Sequence, residues 1–521
     1  MTRRWRLQNK VIKETTIIGN GANGAYRANR AYRAYEASKA SGPSGLYGLL
    51  RGAVCLAVLL LCLVDASAQI KVGGHVYGGG NRGKVDGNTT VTVRAGEQLN
   101  HVFGGARMAD VGGRTFVNID GEHATDNIFI RAVFGGNDIS GTIGTSETTT
   151  VPEELTDVLT IPAKTDDELE ALGKTREEYI ADYKAANPEQ NEIDNTWKTF
   201  VRTSRSTTIE DEEEVENYGV VIGSLYGGGN GDFTYTDNEG NPLQDGEGNY
   251  IVKEGETVIA TRSTPFNKPE LGKTYLEIKG GCIAHLYGGG NYATVTNNTT
   301  ICINNESEGL ESWMRRYSNA TGKTMLEIFA SLREMTSLNT FQSNISSYNF
   351  TFARVFGGNN KADMAIQPKW NIQKGIIRDL YSGGNEGRMT CSEGLLLEIQ
   401  PTEANSDKLF ITNVYGGCRR SDVRPLDAYG MEVTAQNPEG YNFPTGLAAR
   451  TLVRGGKITN VYGGNDISGR VYGGNAVGIY TTVLGNVYGG GNGSYAYTDN
   501  ADLKDSETFK DYYYSPNDIL G

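Results

Sequence analysis

The sequence predicts an all-β chain, a parallel β-solenoid (β-helix) with rungs of about 25–34 residues and small helical inserts. Three observations carry that expectation. An aliphatic residue, an aromatic and then small residues recur eleven times: Val76-Tyr77, Val102-Phe103, Val133-Phe134, Leu225-Tyr226, Leu286-Tyr287, Val355-Phe356, Leu380-Tyr381, Val414-Tyr415, Val461-Tyr462, Val471-Tyr472 and Val487-Tyr488. Before many copies lies a second block that alternates at period two, as in Val91/Val93, Val117/Ile119, Leu276/Ile278 and Leu395/Leu397/Ile399, and such alternation reads as strand. Glycine totals 69 of 521 residues against 13 prolines, a balance that suits tight corners better than a disordered linker.

Neighbouring copies lie 26, 31, 92, 61, 69, 25, 34, 47, 10 and 16 residues apart. Units this short cannot bury a face alone, so stacking must supply one shared core. The copy at Val471 sits inside one period and reads as an extra half-unit. A longer duplication supports a common unit: 133–141 matches 461–469, and 218–238 matches 480–500 without a gap. Ile458 and Val461 are three apart, which leaves open the face on which the aromatic falls.

Residues 1–68 read as a leader with a signal peptide. The leader carries ten Lys and Arg residues against three acidic ones, with an apolar run, 53–64, and the small-x-small site Ala66-Ser67-Ala68 before Gln69. That is the order of a secretory signal, and the run falls short of the roughly 20 residues a spanning helix needs. The repeat domain is expected over 69–500, with inserts at about 145–217, 235–265 and 305–350. The first insert carries 20 acidic and 7 basic side chains and two capping boxes, Thr165/Glu168 and Thr175/Glu178, so it reads as short helices with a solvated acidic run. The second has the turn composition of a hairpin, with the spacing of a calcium loop absent. The third places Leu310, Trp313, Met314, Tyr317, Met325, Ile328, Phe329 and Leu332 at helical spacing, as two helices packed on a flank. Residues 501–521 form a tail whose Tyr512-Tyr513-Tyr514 is a poor cap, so a truncated frame or end-to-end self-association is expected.

The net charge is −13, and the leader's +7 leaves −20 for residues 69–521. Such a chain repels nucleic acid. Beyond the leader stand Cys282, Cys302, Cys391 and Cys418; an even count admits disulfides in an oxidising compartment, and sparse usage favours small buried hydrophobes.

Apparent catalytic motifs dissolve on inspection. Residues 78–84 match a phosphate-loop pattern, but Val85 stands where Ser or Thr is needed and a strand follows where a helix is needed. His75, His101 and His285 directly precede the aliphatic-aromatic pair, in a slot filled elsewhere by Ala, Ser, Arg, Asp and Asn; a mixed slot reads as a solvent-facing ladder, not a metal site. Asn137-Asp138 recurs as Asn465-Asp466, and residues that travel with a repeat read as structural. The aromatic ladder, Tyr77, Phe103, Phe134, Tyr226, Tyr287, Phe356, Tyr381, Tyr415, Tyr462, Tyr472 and Tyr488, would bind sugar rings if exposed, and the expectation is that it is buried or edge-stacked. No catalytic residue, cofactor site or metal site is assigned.

At 76–81, 225–230, 286–291 and 487–492 the Val/Leu-Tyr-Gly-Gly-Gly-Asn copies resemble glycine-rich VYGGG-repeat proteins exported by Gram-negative bacteria, and adhesin-type β-solenoids generally. The resemblance covers about 70–500, inserts excepted. It implies a cell-surface or extracellular structural or adhesive protein, not an enzyme, whose partner is a host or microbial surface glycan or a matrix protein. The alternative is a polysaccharide-active or glycan-binding β-helix protein.

Overall fold

The computed structural model describes residue 72 and residues 74–144, 164, 166–186, 196–210, 218–336, 349–425 and 447–495, with short strands at 14–17, 158–161, 191–194 and 213–216. Ala66, Ala68, Gln69, the tail 501–521 and the Thr165 capping box lie outside the described residues.

Two runs of parallel strands dominate. In one, each strand alternates inward Thr and aliphatic residues: Thr89–Val93, Thr115–Ile119, Trp197–Thr203, Lys273–Ile278 and Thr299–Asn304 pair in that order. In the other, strands end on the aliphatic-aromatic pair: Val76–Tyr77, Gly96–Phe103, Ile128–Phe134, Val220–Tyr226, Cys282–Tyr287 and Phe352–Phe356. The strand Lys369–Tyr381 joins them, pairing Lys369–Lys374 with the first run and Ile377–Tyr381 with the second.

That junction corrects the expected solenoid of separate rungs. Twelve strands follow one all-parallel path from Thr89–Val93 to Val76–Tyr77, whose ends are neighbours in sequence, so the sheet is nearly closed and barrel-like. Where other repeats turn a corner between their two blocks, this one passes through Gly375, at φ +143°, without leaving the sheet. Leu409–Tyr415, Lys457–Tyr462 and Val487–Tyr488 branch onto it in succession. Leu395–Ile399, Leu447–Val453 and Gly474–Ile479 make a separate three-stranded parallel sheet. The strand Glu14–Ile17 lies in parallel along Thr90–Val93.

One core fills the space between the runs. Nine of the eleven motif aliphatics meet there: Val76, Val102, Val133, Leu225, Leu286, Val355, Leu380, Val414 and Val461. They face the alternating residues of the first run, such as Val91, Val117, Val201, Leu276 and Ile301. Val471 instead packs beside Met364, Met389 and Val423, and Val487 is 46% exposed.

The insert expected over 145–217 is also corrected. Trp197–Thr203 is an internal strand of the main sheet, with Trp197, Phe200 and Val201 buried. Thr199, Val201 and Thr203 keep the alternation of Thr115, Val117 and Ile119, so the extra chain ends before residue 197. Within it, Asp166–Ala171 and Arg176–Ala186 are helical, and Glu178 N–H donates to Thr175 Oγ1 at 3.2 Å. The 235–265 insert forms the antiparallel hairpin Tyr250–Glu254/Thr257–Arg262. In the third, helices Leu310–Thr321 and Met325–Thr336 lay Leu310, Trp313, Met314, Ile328 and Phe329 on Phe129, Val221, Ala284 and Ala353.

Candidate functional site

The most regular feature is a column of ten rings: Tyr77, Phe103, Phe134, Tyr226, Tyr287, Phe356, Tyr381, Tyr415, Tyr462 and Tyr488. Successive centroids are 4.6–5.1 Å apart and the planes differ by 3–10°. Isolated aromatic pairs prefer offset or edge-on packing. Here in-register parallel pairing sets the ring spacing to that of adjacent strands, about 4.7–4.9 Å. Tyr472 is not a member. The preceding Val471 bridges Val423 at the corner, Tyr472 N–H donates to the Val423 carbonyl at 2.9 Å, and the Tyr472 ring lies 4.8 Å from the Arg424 guanidinium. Phe103 through Tyr415 are buried, so the rings spend their faces on one another.

Glycines make the column possible. A Cβ added at the first glycine after the ring would meet the carbonyl oxygen of the next layer: 2.3 Å at Gly135 and Gly227, 2.4 Å at Gly78, Gly288 and Gly463. Those carbonyls accept threonine hydroxyls from the first run, Thr89 to Gly104 at 2.6 Å, Thr115 to Gly135 at 2.6 Å, Thr199 to Gly227 at 2.7 Å and Thr274 to Gly288 at 2.8 Å. The sequence reading missed this threonine column. Its signal was present: each Thr sits two residues before the alternating aliphatics, on the same face by period two.

The Asn and Asp residues beyond the glycines form a second ladder. Asn230 Nδ2 donates to Asp138 Oδ1 at 2.9 Å, Asn291 to Asn230 at 2.9 Å, Asn360 to Asn291 at 2.8 Å and Asn385 to Asn360 at 2.8 Å. Tyr77 Oη donates to Asp138 Oδ2 at 2.7 Å, and Tyr381 Oη to Asp466 Oδ2 at 2.7 Å, so the duplicated Asn-Asp pair performs one job twice. Burial lifts the Asp138 carboxyl above its ordinary range, opposed by the bonds from Asn230 and Tyr77. Asn137 and Asn465 each accept from a backbone N–H of the layer below, Ala106 at 2.7 Å and Cys418 at 2.8 Å.

The slot before the aliphatic-aromatic pair departs from its expected solvent exposure. His101 and His285 are half-buried, and His75 alone of the three is exposed. His75 and His101 stack at 4.7 Å, while His285 Nε2 lies 3.5 Å from Arg354 Nη1. Burial, then His75 and Arg131, pull His101 down to about 4. Burial, then Arg354, Arg419 and Arg378, hold His285 well below its ordinary value.

The remaining site candidate is an open cleft of about 400 Å³ between the corners at 82–84 and 108–110 and the strand-flanking segment 262–270. Arg82, Lys84, Arg262 and Lys268 line it with Asp110 and Glu270. Ser140, 1% exposed, lies at its wall, and its hydroxyl has no hydrogen-bond partner. Nothing in the sequence marks this cleft, because its walls come from four separate stretches, 82–84, 108–110, 140–142 and 262–270. Lys84, the lysine of the phosphate-loop look-alike, faces Asp86 at 3.5 Å, and Val85 enters a parallel bridge with Val111 rather than a helix.

Cys282, Cys302, Cys391 and Cys418 are not joined in disulfides, and Cys302 Sγ donates to Tyr275 Oη at 3.2 Å. In the hairpin insert, Asp237 and Asp245 each accept two N–H bonds at 2.9 Å from their own turns. Among the described residues no group of three or more His, Cys, Asp and Glu side chains is placed to hold a metal ion, and no helix is long and apolar enough to cross a membrane. No protein-family model, curated protein or solved structure matches the chain.

Proposed function

We propose that the protein is an exported surface or extracellular scaffold with a structural or adhesive role, not an enzyme. The observation that carries this reading is the consumption of the repeat by its own stacking. The rings face rings, the glycines admit carbonyls, and the threonines and asparagines bond the next layer. Side chains committed this way supply rigidity and spacing, not a reaction centre. Export rests on the apolar run 53–64 and the Ala66-Ser67-Ala68 site, which predict a mature chain beginning at Gln69.

A second reading, glycan binding, is favoured by the basic cleft. Four cationic side chains in a chain of net charge −13 suit a carboxylated or sulfated sugar. One experiment separates the readings. The purified chain is screened on glycan arrays and immobilised matrix proteins, and against polysaccharides for release of reducing ends. Matrix or surface binding that survives Arg262→Ala and Lys268→Ala supports the adhesive scaffold. Binding to acidic glycans lost in those variants supports the cleft. Reducing-end release would overturn both.

A further inference from the structure

The hairpin insert carries a guanidinium that its own chain only half uses. Arg262 ends the strand Thr257–Arg262, and the chain then runs as a strap to Glu270, which bridges Thr142 of the corner ladder. Both ends of the strap are fixed. Tyr235, Val252, Ala260 and Phe266 bury against Met108 and Ile139, Tyr235 Oη donates to the Ile139 carbonyl, and Thr294 N–H donates to the Pro269 carbonyl at 3.2 Å. The strands of the insert follow the duplicated stretch 218–238, so they stand outside the stacking motif that absorbs the repeat's side chains.

Arg262 is held on one edge and one face. Its Nε donates to the Thr264 carbonyl at 3.0 Å, its Nη2 donates to the Pro265 carbonyl, and its guanidinium carbon lies 4.0 Å from the centroid of the Phe266 ring. Phe266 is itself 6% exposed, so the ring that carries the stack cannot swing away. A guanidinium offers five N–H donors in a planar fork, and the Nε–Nη2 edge is spent on these two carbonyls. The donors that remain sit at the Nη1–Nη2 end, which forms two parallel bonds to a carboxylate or a similar oxyanion. The bound edge and the stacked face have already removed the rotamer freedom that binding would otherwise cost.

The other charges of the cleft differ in kind. Arg82 and Lys84 stand exposed on the corner wall, with Lys84 Nζ 3.5 Å from Asp86, and Lys268 Nζ lies 5.2 Å from the centroid of the Tyr292 ring. Asp110 is engaged by its own corner, accepting the Thr142 N–H at 2.9 Å and the Thr142 hydroxyl at 3.0 Å, and Glu270 is exposed. We propose that Arg262 is the specificity residue of this cleft: its end-on fork takes one carboxylate or sulfate group of an acidic glycan, and the hairpin insert holds that fork in place. The proposal rests on the reading of the cleft as a glycan site and adds its selector. Lys84 and Lys268 attract as point charges, whereas the locked fork of Arg262 fixes the orientation of the anion.

The test measures binding of two probes to the full chain by calorimetry: an oligogalacturonate, which carries only carboxylates, and a sulfated dextran oligosaccharide, which carries only sulfates. The variants are Arg262→Lys, which keeps the charge and loses the fork, Lys268→Gln, and Arg82→Gln combined with Lys84→Gln, each checked by circular dichroism and thermal melting. Arg262→Lys should weaken binding by about tenfold, and the loss should persist in high salt, as for hydrogen bonds of fixed geometry. Lys268→Gln should weaken it by only about twofold, an effect that high salt removes. The probe that shows this contrast identifies the anion as carboxylate or sulfate. Without any variant, the bound probe should shift the Arg262 Nη resonances of nitrogen-15 arginine-labelled protein, and Nη signals that stay in place would overturn the proposal. Binding that Arg262→Lys leaves unchanged, but that Arg82→Gln with Lys84→Gln abolishes, would overturn it too and leave the glycan reading intact. Failure of the unaltered chain to bind either probe would remove the glycan reading of the cleft and the proposal with it.

Discussion

Replacing Gly227 by alanine should be among the costliest single-methyl additions in the molecule. The new Cβ would lie 2.3 Å from the Gly288 carbonyl oxygen and 3.1 Å from Thr274 Cβ and Oγ1. A carbon and a carbonyl oxygen need about 3.3 Å, so adjacent layers must part by roughly 1 Å at a point where both are held by sheet. Overpacking of this kind costs about 1–3 kcal/mol. The same displacement stretches the Gly227 N–H bond to Tyr287 at 3.0 Å and the Thr199 hydroxyl bond to Gly227 at 2.7 Å, each worth about 0.5–1.5 kcal/mol. The expected total is about 2–6 kcal/mol. Gly83→Ala is the control, since nothing lies within 4 Å of its would-be Cβ; it should change stability by less than about 0.5 kcal/mol. Urea denaturation followed by far-ultraviolet circular dichroism measures both. If Gly227→Ala costs no more than Gly83→Ala, the argument that carbonyl approach dictates the repeat glycines is wrong.

Thr274→Val keeps the shape of the buried side chain but removes its 2.8 Å bond to the Gly288 carbonyl; a loss of about 1–3 kcal/mol in the same urea assay is expected, and an unchanged midpoint would deny the threonine column a stabilising role. Tyr381→Phe removes the buried hydroxyl donor to Asp466 and should cost about 1.5–3 kcal/mol, as for bonds to charged groups, against little for Tyr488→Phe at the exposed edge. His101, at about 4, and His285, well below its ordinary value, are both depressed by burial first. The unfolded chain, with histidines near about 6.5, therefore takes up protons first, and stability should fall as pH drops from about 6.5 toward 4; His101→Asn with His285→Asn should flatten that slope, and an equally steep slope in the double variant would refute the assignment. Burial raises the thiols of Cys391, and of Cys418 to about 12, so mapped alkylation of the native chain should leave both unmodified until denaturant is added.

The sequence by itself determined the local pattern. Period-two alternation at Val91/Val93 and Val117/Ile119 could satisfy only a strand with one buried face, and the recurrence of Val/Leu-Tyr-Gly-Gly could bury those aliphatics only by stacking. The helices at 310–336 and the hairpin at 250–262 were legible for the same reason, since their periodicity and turn residues are local. Tertiary structure decided what depends on the neighbouring layer. That the rings form a column of ten and exclude Tyr472, that Trp197–Thr203 belongs to the main sheet, and that Lys369–Tyr381 fuses two runs into a nearly closed sheet all turn on which strand lies beside which. The basic cleft was invisible for the same cause, its lining being drawn from residues 82 to 270. Local periodicity fixes which face of a strand is apolar; only the assembled layers set the 2.3 Å at Gly227 and the open space at Gly489, because those distances belong to pairs of strands and not to either strand alone.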